Sequence, residues 1–151
     1  MTLQEALARR GRLQVHIEDL VSRLHSCSRV LEGIVPPEEP EYLLGQVKAA
    51  LSDLETLVGQ IERTNRETNV TPWQTLSDLL VRRNFVQRRA KLLKGVADHA
   101  VKGETPYYRE GRYDVTVQVT ALYAEVASLS REYEELDNQI QKANWQTQLA
   151  E

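Results

Sequence analysis

One stretch of this chain is written twice. Residues 2–14 align with residues 75–87, with identity at Thr2/Thr75, Leu3/Leu76, Leu7/Leu80, Arg9/Arg82, Arg10/Arg83 and Gln14/Gln87. Glu5 corresponds to Asp78. Further on, residues 60–69 align with 139–148, with identity at Gln60/Gln139, Ile61/Ile140, Asn65/Asn144 and Thr68/Thr147. Two copies of one unit normally bury their apolar faces on each other, so the repeat constrains architecture strongly. It says little about chemistry.

The spacing inside each copy is helical. Thr2 and Glu5 form a capping box, in which each side chain satisfies an N–H that the first turn leaves without a partner. Leu3, Ala6, Arg10, Leu13, Ile17, Leu20, Leu24, Cys27 and Leu31 then step by threes and fours, which is a heptad seam. Gly33 is the expected stop. Pro36, Pro37 and Pro40, with Glu38 and Glu39 between them, make a stiff acidic turn, and Pro40 suits the first turn of helix two. Leu44, Val47, Leu51, Leu54, Val58, Ile61 and Asn65 continue the seam. So short a turn makes the two helices antiparallel.

The second copy repeats the plan. Thr75 and Asp78 cap helix three, whose seam is Leu76, Leu79, Arg83, Val86, Ala90, Leu93, Ala97 and Ala100. Gly103 and Pro106 stop it. Helix four begins near Gln118 and carries Leu122, Val126, Leu129, Tyr133, Leu136, Ile140 and Ala143. The copies are offset by 73 residues at their starts (Thr2 to Thr75) and by 79 at their ends (Gln60 to Gln139), so the second holds six more. These fall in Tyr107–Val117, where aromatic and β-branched residues flank a glycine turn, and a small β-hairpin is expected there. The expected fold is all-α: two antiparallel helical hairpins forming an elongated four-helix bundle, with a β-hairpin between helices three and four. One helical domain over residues 1–151 is expected, with repeat one at about 2–69 and repeat two at about 75–148.

Composition narrows the function classes. Of 151 residues, 41% are hydrophobic and 27% charged, enough for a packed soluble fold, and the net charge of -3 recruits neither nucleic acid nor membrane globally. Cys27 is the only cysteine. It excludes an internal disulfide and favours a reducing compartment. Met1 is followed at once by a helix start, and no apolar run approaches the ~18 residues of a spanning helix. A cytoplasmic protein without a membrane role is expected. His16, His25 and His99 share no ligand spacing, no phosphate loop or nucleophile elbow occurs, and no catalytic residue, metal or cofactor is assigned.

Two constellations remain. Arg10 and Arg83 occupy otherwise apolar seams and must be paired or reach water. In a hairpin centred near Pro37, Arg10 lies level with Asn65, and Glu5 with Asn69; the repeat sets Arg83 near Asn144 and Asp78 near Gln148. Arg10, Asn65, Asn69, Arg83 and Asn144 thus form a candidate polar pole, with Trp73 and Trp145 covering it. Two guanidiniums beside amides suit an anion such as phosphate or carboxylate. Equally, the groups satisfy each other and fix helix register. The second constellation is the basic run Arg82, Arg83, Arg88, Arg89, Lys91 and Lys94, interleaved only by Phe85. It is either a nucleic-acid footprint or a solvated face paired with Glu125, Glu132, Glu134, Glu135 and Asp137 of helix four.

The strings Thr-Leu-x-(Glu/Asp)-x-Leu at both starts, Ile61-x-x-Thr64-Asn65, and Leu136-Asp137-x-x-Ile140-Gln141-x-x-Asn144-Trp145 resemble an uncharacterised family of small bacterial helical proteins. Some of its members carry the name septicolysin. The resemblance spans essentially the whole chain and implies a bacterial, mostly helical protein without an assigned activity. It brings no functional residues. Pore formation, which that name implies, needs an export signal and long apolar segments that this sequence lacks. The leading expectation is a non-enzymatic scaffold or interaction protein that self-associates as a homo-oligomer. The alternatives are a small-molecule or anion-binding protein using the polar pole, conceivably an enzyme, and nucleic-acid binding through helix three.

Overall fold

The computed structural model describes residues 1–102 and 114–150. It contains four long helices, α1 (Leu3–Ser28), α2 (Pro40–Glu67), α3 (Leu76–Lys102) and α4 (Val119–Gln146), and two short strands, β1 (Asn69–Thr71) and β2 (Gln74–Thr75). Among the described residues the fold is all-α apart from this one sheet and an isolated bridge between Thr2 and Gln148. The strands pair antiparallel around Pro72-Trp73 and lie between α2 and α3. The hairpin expected at Tyr107–Val117 falls largely on 107–113, outside the described residues, and 114–117 carry no strand. Two compact units are present: Met1–Thr68 with Ala143–Glu151, and Asn69–Lys142.

In the first unit, Thr2 closes its capping box: the Thr2 N–H donates to Glu5 Oε2 at 2.7 Å and the Glu5 N–H to Thr2 Oγ1 at 3.2 Å. Leu20, Cys27, Leu43, Val47 and Ala50 form the core between α1 and α2, with Ile17, Val21 and Leu24 packed on it. Each buried aliphatic side chain there contributes roughly 1.5–3 kcal/mol. The helices run antiparallel, as residues late in α1 meet residues early in α2. Val47, Ile61 and Asn65 of the expected α2 seam are buried, but the buried stripe is wider to one side: Leu43, Ala50, Leu57 and Thr64 are also buried, while Leu51 is exposed. Both sets share the same period, and periodicity alone does not choose between neighbouring stripes.

Helix α1 ends at Ser28, before the expected stop, and Leu31 is 81% exposed. Ser26 Oγ donates to the Ser22 carbonyl and Ser28 Oγ to the His25 carbonyl, the side-chain competition that weakens a last turn. Gly33 takes φ +81, the third position of a turn in which the Ile34 N–H donates to the Leu31 carbonyl. Arg23 secures the connection by donating from Nε to Glu38 Oε2 at 2.9 Å and from Nη2 to Oε1. The guanidinium holds the Glu38 carboxyl below its ordinary pKa. Pro40 opens α2, as expected.

The C-terminal segment completes the first unit. Thr2 and Gln148 form an antiparallel bridge. The Leu3 N–H donates to the Thr147 carbonyl, the Leu149 N–H to the Met1 carbonyl, and the Ala150 N–H to Thr64 Oγ1, each at 2.9 Å. The second unit begins with its own strand pair, and β2 leads directly into the Thr75–Asp78 capping box. All eight expected seam residues of α3 are buried or half-buried. Leu129 and Ile140 are the buried centre of the α4 seam.

Candidate functional site

The basic run of α3 faces acids of α4. Arg82 meets Glu132 at 2.6 Å, Arg83 meets Asp137 at 2.7 Å and Arg89 meets Glu125 at 2.5 Å. Arg82 and Arg83 meet residues later in α4 than Arg89 does, so α3 and α4 are antiparallel. Lys94 pairs with Asp98 at 2.6 Å, and the Tyr123 hydroxyl donates to the other oxygen of Asp98, also at 2.6 Å. Lys94 first, then Tyr123, holds the Asp98 carboxyl below its ordinary pKa, and Asp98 pushes the Tyr123 phenol up. Four of the six bases are therefore engaged with neighbouring acids. Arg88 and Lys91 make no ion pair among the described residues.

The residues expected at the polar pole fall in both units. Asn65 and Asn144 belong to the first and are buried. Among the described residues neither makes a side-chain hydrogen bond, and no polar atom of theirs is both sealed from solvent and unpartnered. Arg10, also in the first unit, is half-buried with no ion pair among the described residues. Arg83 and Asn69 belong to the second unit. Asn69 sits exposed in β1, paired with Thr75. Arg83 bonds to Asp137, two turns before Asn144, so its partner is an acid assigned to the basic run as a whole and not to this arginine. Trp73 and Trp145 are 91% and 62% exposed. Trp73, at the tip of the β1–β2 turn, projects into solvent.

The feature missed in the sequence is the outer face of α3. Val81, Phe85, Leu92 and Val96 are 56%, 64%, 61% and 48% exposed. At 3.6 residues per turn they lie within about 60° of one another around the helix, in a row about 22 Å long. The row stands apart from the seam that faces α4. The equivalent positions of α1 are Ala8, Arg12, Asp19 and Arg23, and the last two form an ion pair. The signal was present in the spacing of four, seven and four, but interleaved arginines concealed it. Among the described residues no group of three or more His, Cys, Asp or Glu is placed to hold a metal ion, and no helix is long and apolar enough to cross a membrane. Cys27 is buried and free, a small core side chain.

These elements define a protein of tandem helical hairpins. The chain belongs to the family of unknown function DUF6847, whose model matches residues 1–149. It is similar to a functionally unknown conserved protein from Corynebacterium diphtheriae, known from a crystal structure: 31% identity, 99% of each chain covered, TM-score 0.92. No curated protein matches the chain.

Proposed function

We propose that this protein is a non-enzymatic helical scaffold or interaction protein that self-associates, with the outer face of α3 as its contact surface. One observation carries the reading. Four large apolar side chains stand exposed on a single face of α3, where the duplicated helix α1 has mostly charged residues. Exposed apolar residues scattered singly need no explanation, but four gathered on one helix face are a usual mark of a contact surface. The free, buried Cys27 supports placing the assembly in a reducing compartment, the cytoplasm. The name septicolysin, carried by some members of the resembling family, adds no residue to this reading. Sedimentation equilibrium from micromolar to millimolar concentration tests it. The expected result is a monomer–oligomer equilibrium that Phe85→Glu with Leu92→Glu abolishes while leaving the helical content unchanged. A monomer throughout would refute it.

A second reading, an anion or small-molecule site at the polar end, rests on the first unit alone. Asn65 and Asn144 are buried without side-chain hydrogen bonds among the described residues, and Arg10 stands without an acid. Phosphate or carboxylate ligands would then raise the melting temperature, and Arg10→Ala would remove the rise. No shift with either anion removes this reading.

A further inference from the structure

We propose that the turn joining α1 to α2 is a separate contact surface, one that takes a cationic amphipathic helix of a partner protein. It does not depend on self-association through α3. Val30, Leu31, Ile34 and Val35 are 37%, 81%, 57% and 85% exposed. The turn gathers them. The Ile34 N–H donates to the Leu31 carbonyl across Glu32 and Gly33, which brings the Leu31 and Ile34 Cα atoms within about 7 Å. Val30 and Val35 are their immediate neighbours in the chain. Connecting segments run over the surface and need no aliphatic side chains of their own, so four on one turn have the composition of a contact patch.

The turn is held in place before any partner arrives. Arg23 of α1 donates two hydrogen bonds to Glu38, and Pro36, Pro37 and Pro40 restrict the backbone on that side. Little conformational freedom is left to lose on binding. Charge selects the partner. Residues 30–42 carry four acids and no base. Glu38 is taken by Arg23, while Glu32, Glu39 and Glu41 are exposed and make no ion pair among the described residues. Arg29, just before the patch, is the one base adjacent to it in the chain, so the unpaired charge beside the aliphatic residues is acidic. A helix with an apolar stripe edged by lysine or arginine complements that surface in both respects. An anionic membrane is repelled by the same acids. Four side chains cover far less than the roughly 800 Å² per partner of a standard interface, so the binding is weak and salt-sensitive.

Fluorescence anisotropy on the intact protein tests this with two labelled peptides: a helix of leucine and lysine at amphipathic spacing, and the same helix with glutamate in place of lysine. The lysine peptide should bind and the glutamate peptide should not, and raising the salt from low to physiological should weaken binding about tenfold. Leu31→Ser with Val35→Ser should remove most of the binding and leave the helical content unchanged, because both side chains already stand in water. Glu32→Lys with Glu39→Lys should exchange the preference, so that the glutamate peptide binds and the lysine peptide does not. Equal binding of both peptides to the wild type, or binding that the serine variant leaves unchanged, would overturn the proposal. Two further results would give the turn a different occupant and overturn it as well. One is loss of self-association in the serine variant, which marks a second copy. The other is binding to phosphatidylcholine vesicles that the serine variant abolishes, which marks a lipid surface.

Discussion

Leu3 and Leu76 are both fully buried, and each follows a threonine that closes a capping box and pairs with a strand partner. Thr2 pairs with Gln148, and Thr75 with Asn69, and these partners are themselves repeat equivalents. The same local unit, a strand residue followed by a capped helix, is thus built in both copies. In the second copy the strand comes from the residues just before it. In the first it comes from the far end of the chain. Along the outer faces the copies part: Arg12, Asp19 and Arg23 on α1 stand where α3 has Phe85, Leu92 and Val96. What both copies keep serves folding. What only one has is an exposed apolar face.

The largest test of this comparison is in the shared part. Leu3→Ala and Leu76→Ala should each cost about 2–5 kcal/mol, since neither site can let water fill the space left behind. Equal losses in denaturant unfolding would establish that the two helix starts are energetically equivalent. A loss at one site only would break the comparison at its base.

Next is the strand that differs in origin. Besides the Thr147 N–H bond to the Ala143 carbonyl and the Met1 ammonium bond to Gln148 Oε1, removing residues 147–151 deletes three backbone N–H bonds that tie this segment to Met1, Leu3 and Thr64, donated by Leu149, Leu3 and Ala150. At about 1 kcal/mol each, the cost is roughly 2–3 kcal/mol. Hydrogen exchange should show the Leu3 amide losing protection while the Leu76 amide keeps its own. Loss of protection at both would mean that the two units do not open separately.

Smaller still is a difference within the seams. Arg83 meets Asp137, but the equivalent position opposite Arg10 is Val58. Asp137→Ala leaves a mostly covered guanidinium unpaired and should cost about 1–2 kcal/mol, between the exposed and buried cases. Val58→Asp should restore the missing pair in the first copy, with a gain below about 1 kcal/mol after the lost apolar burial is counted. Thermal unfolding of both variants measures this.

The features legible in the sequence are the ones decided within a few residues. The capping boxes need only Thr and an acid three positions on, and the start of α2 follows from Pro40. The β1–β2 pair was hidden because its strands are two and three residues long and flank Pro72. The early end of α1 depends on serine hydroxyls turning to the backbone, which a seam through Leu31 does not reveal. The Arg83–Asp137 pair and the choice of Leu43 over Leu51 depend on how one helix is rotated and shifted against its neighbour. The period fixes a stripe's repeat but not its partner. Phe85 read as a lone aromatic among bases because only exposure separates the outer row of α3 from its inner seam.

The smallest expected effect concerns the shared caps and their response to acid. The Glu5 carboxyl is held below its ordinary pKa by the Thr2 backbone N–H first and the hydroxyl second, and Asp78 is held down by Thr75 in the same order. A carboxyl whose pKa is depressed by folding stabilises the fold fully above its unfolded pKa, and that contribution is lost as the pH falls through the lowered folded value. Thr2→Ala and Thr75→Ala should each cost about 1 kcal/mol near neutral pH through the lost cap. In acid the difference from wild type should shrink, because the protonated carboxyl no longer holds the box closed. Carboxyl NMR titration separates the copies: Thr2→Ala should raise the pKa of Glu5 alone, and Thr75→Ala that of Asp78 alone. Equal rises would mean that strands from opposite ends of the chain leave the caps chemically alike. A smaller rise at Glu5 would mean that the C-terminal strand holds its cap less firmly than the covalently continuous hairpin holds the other.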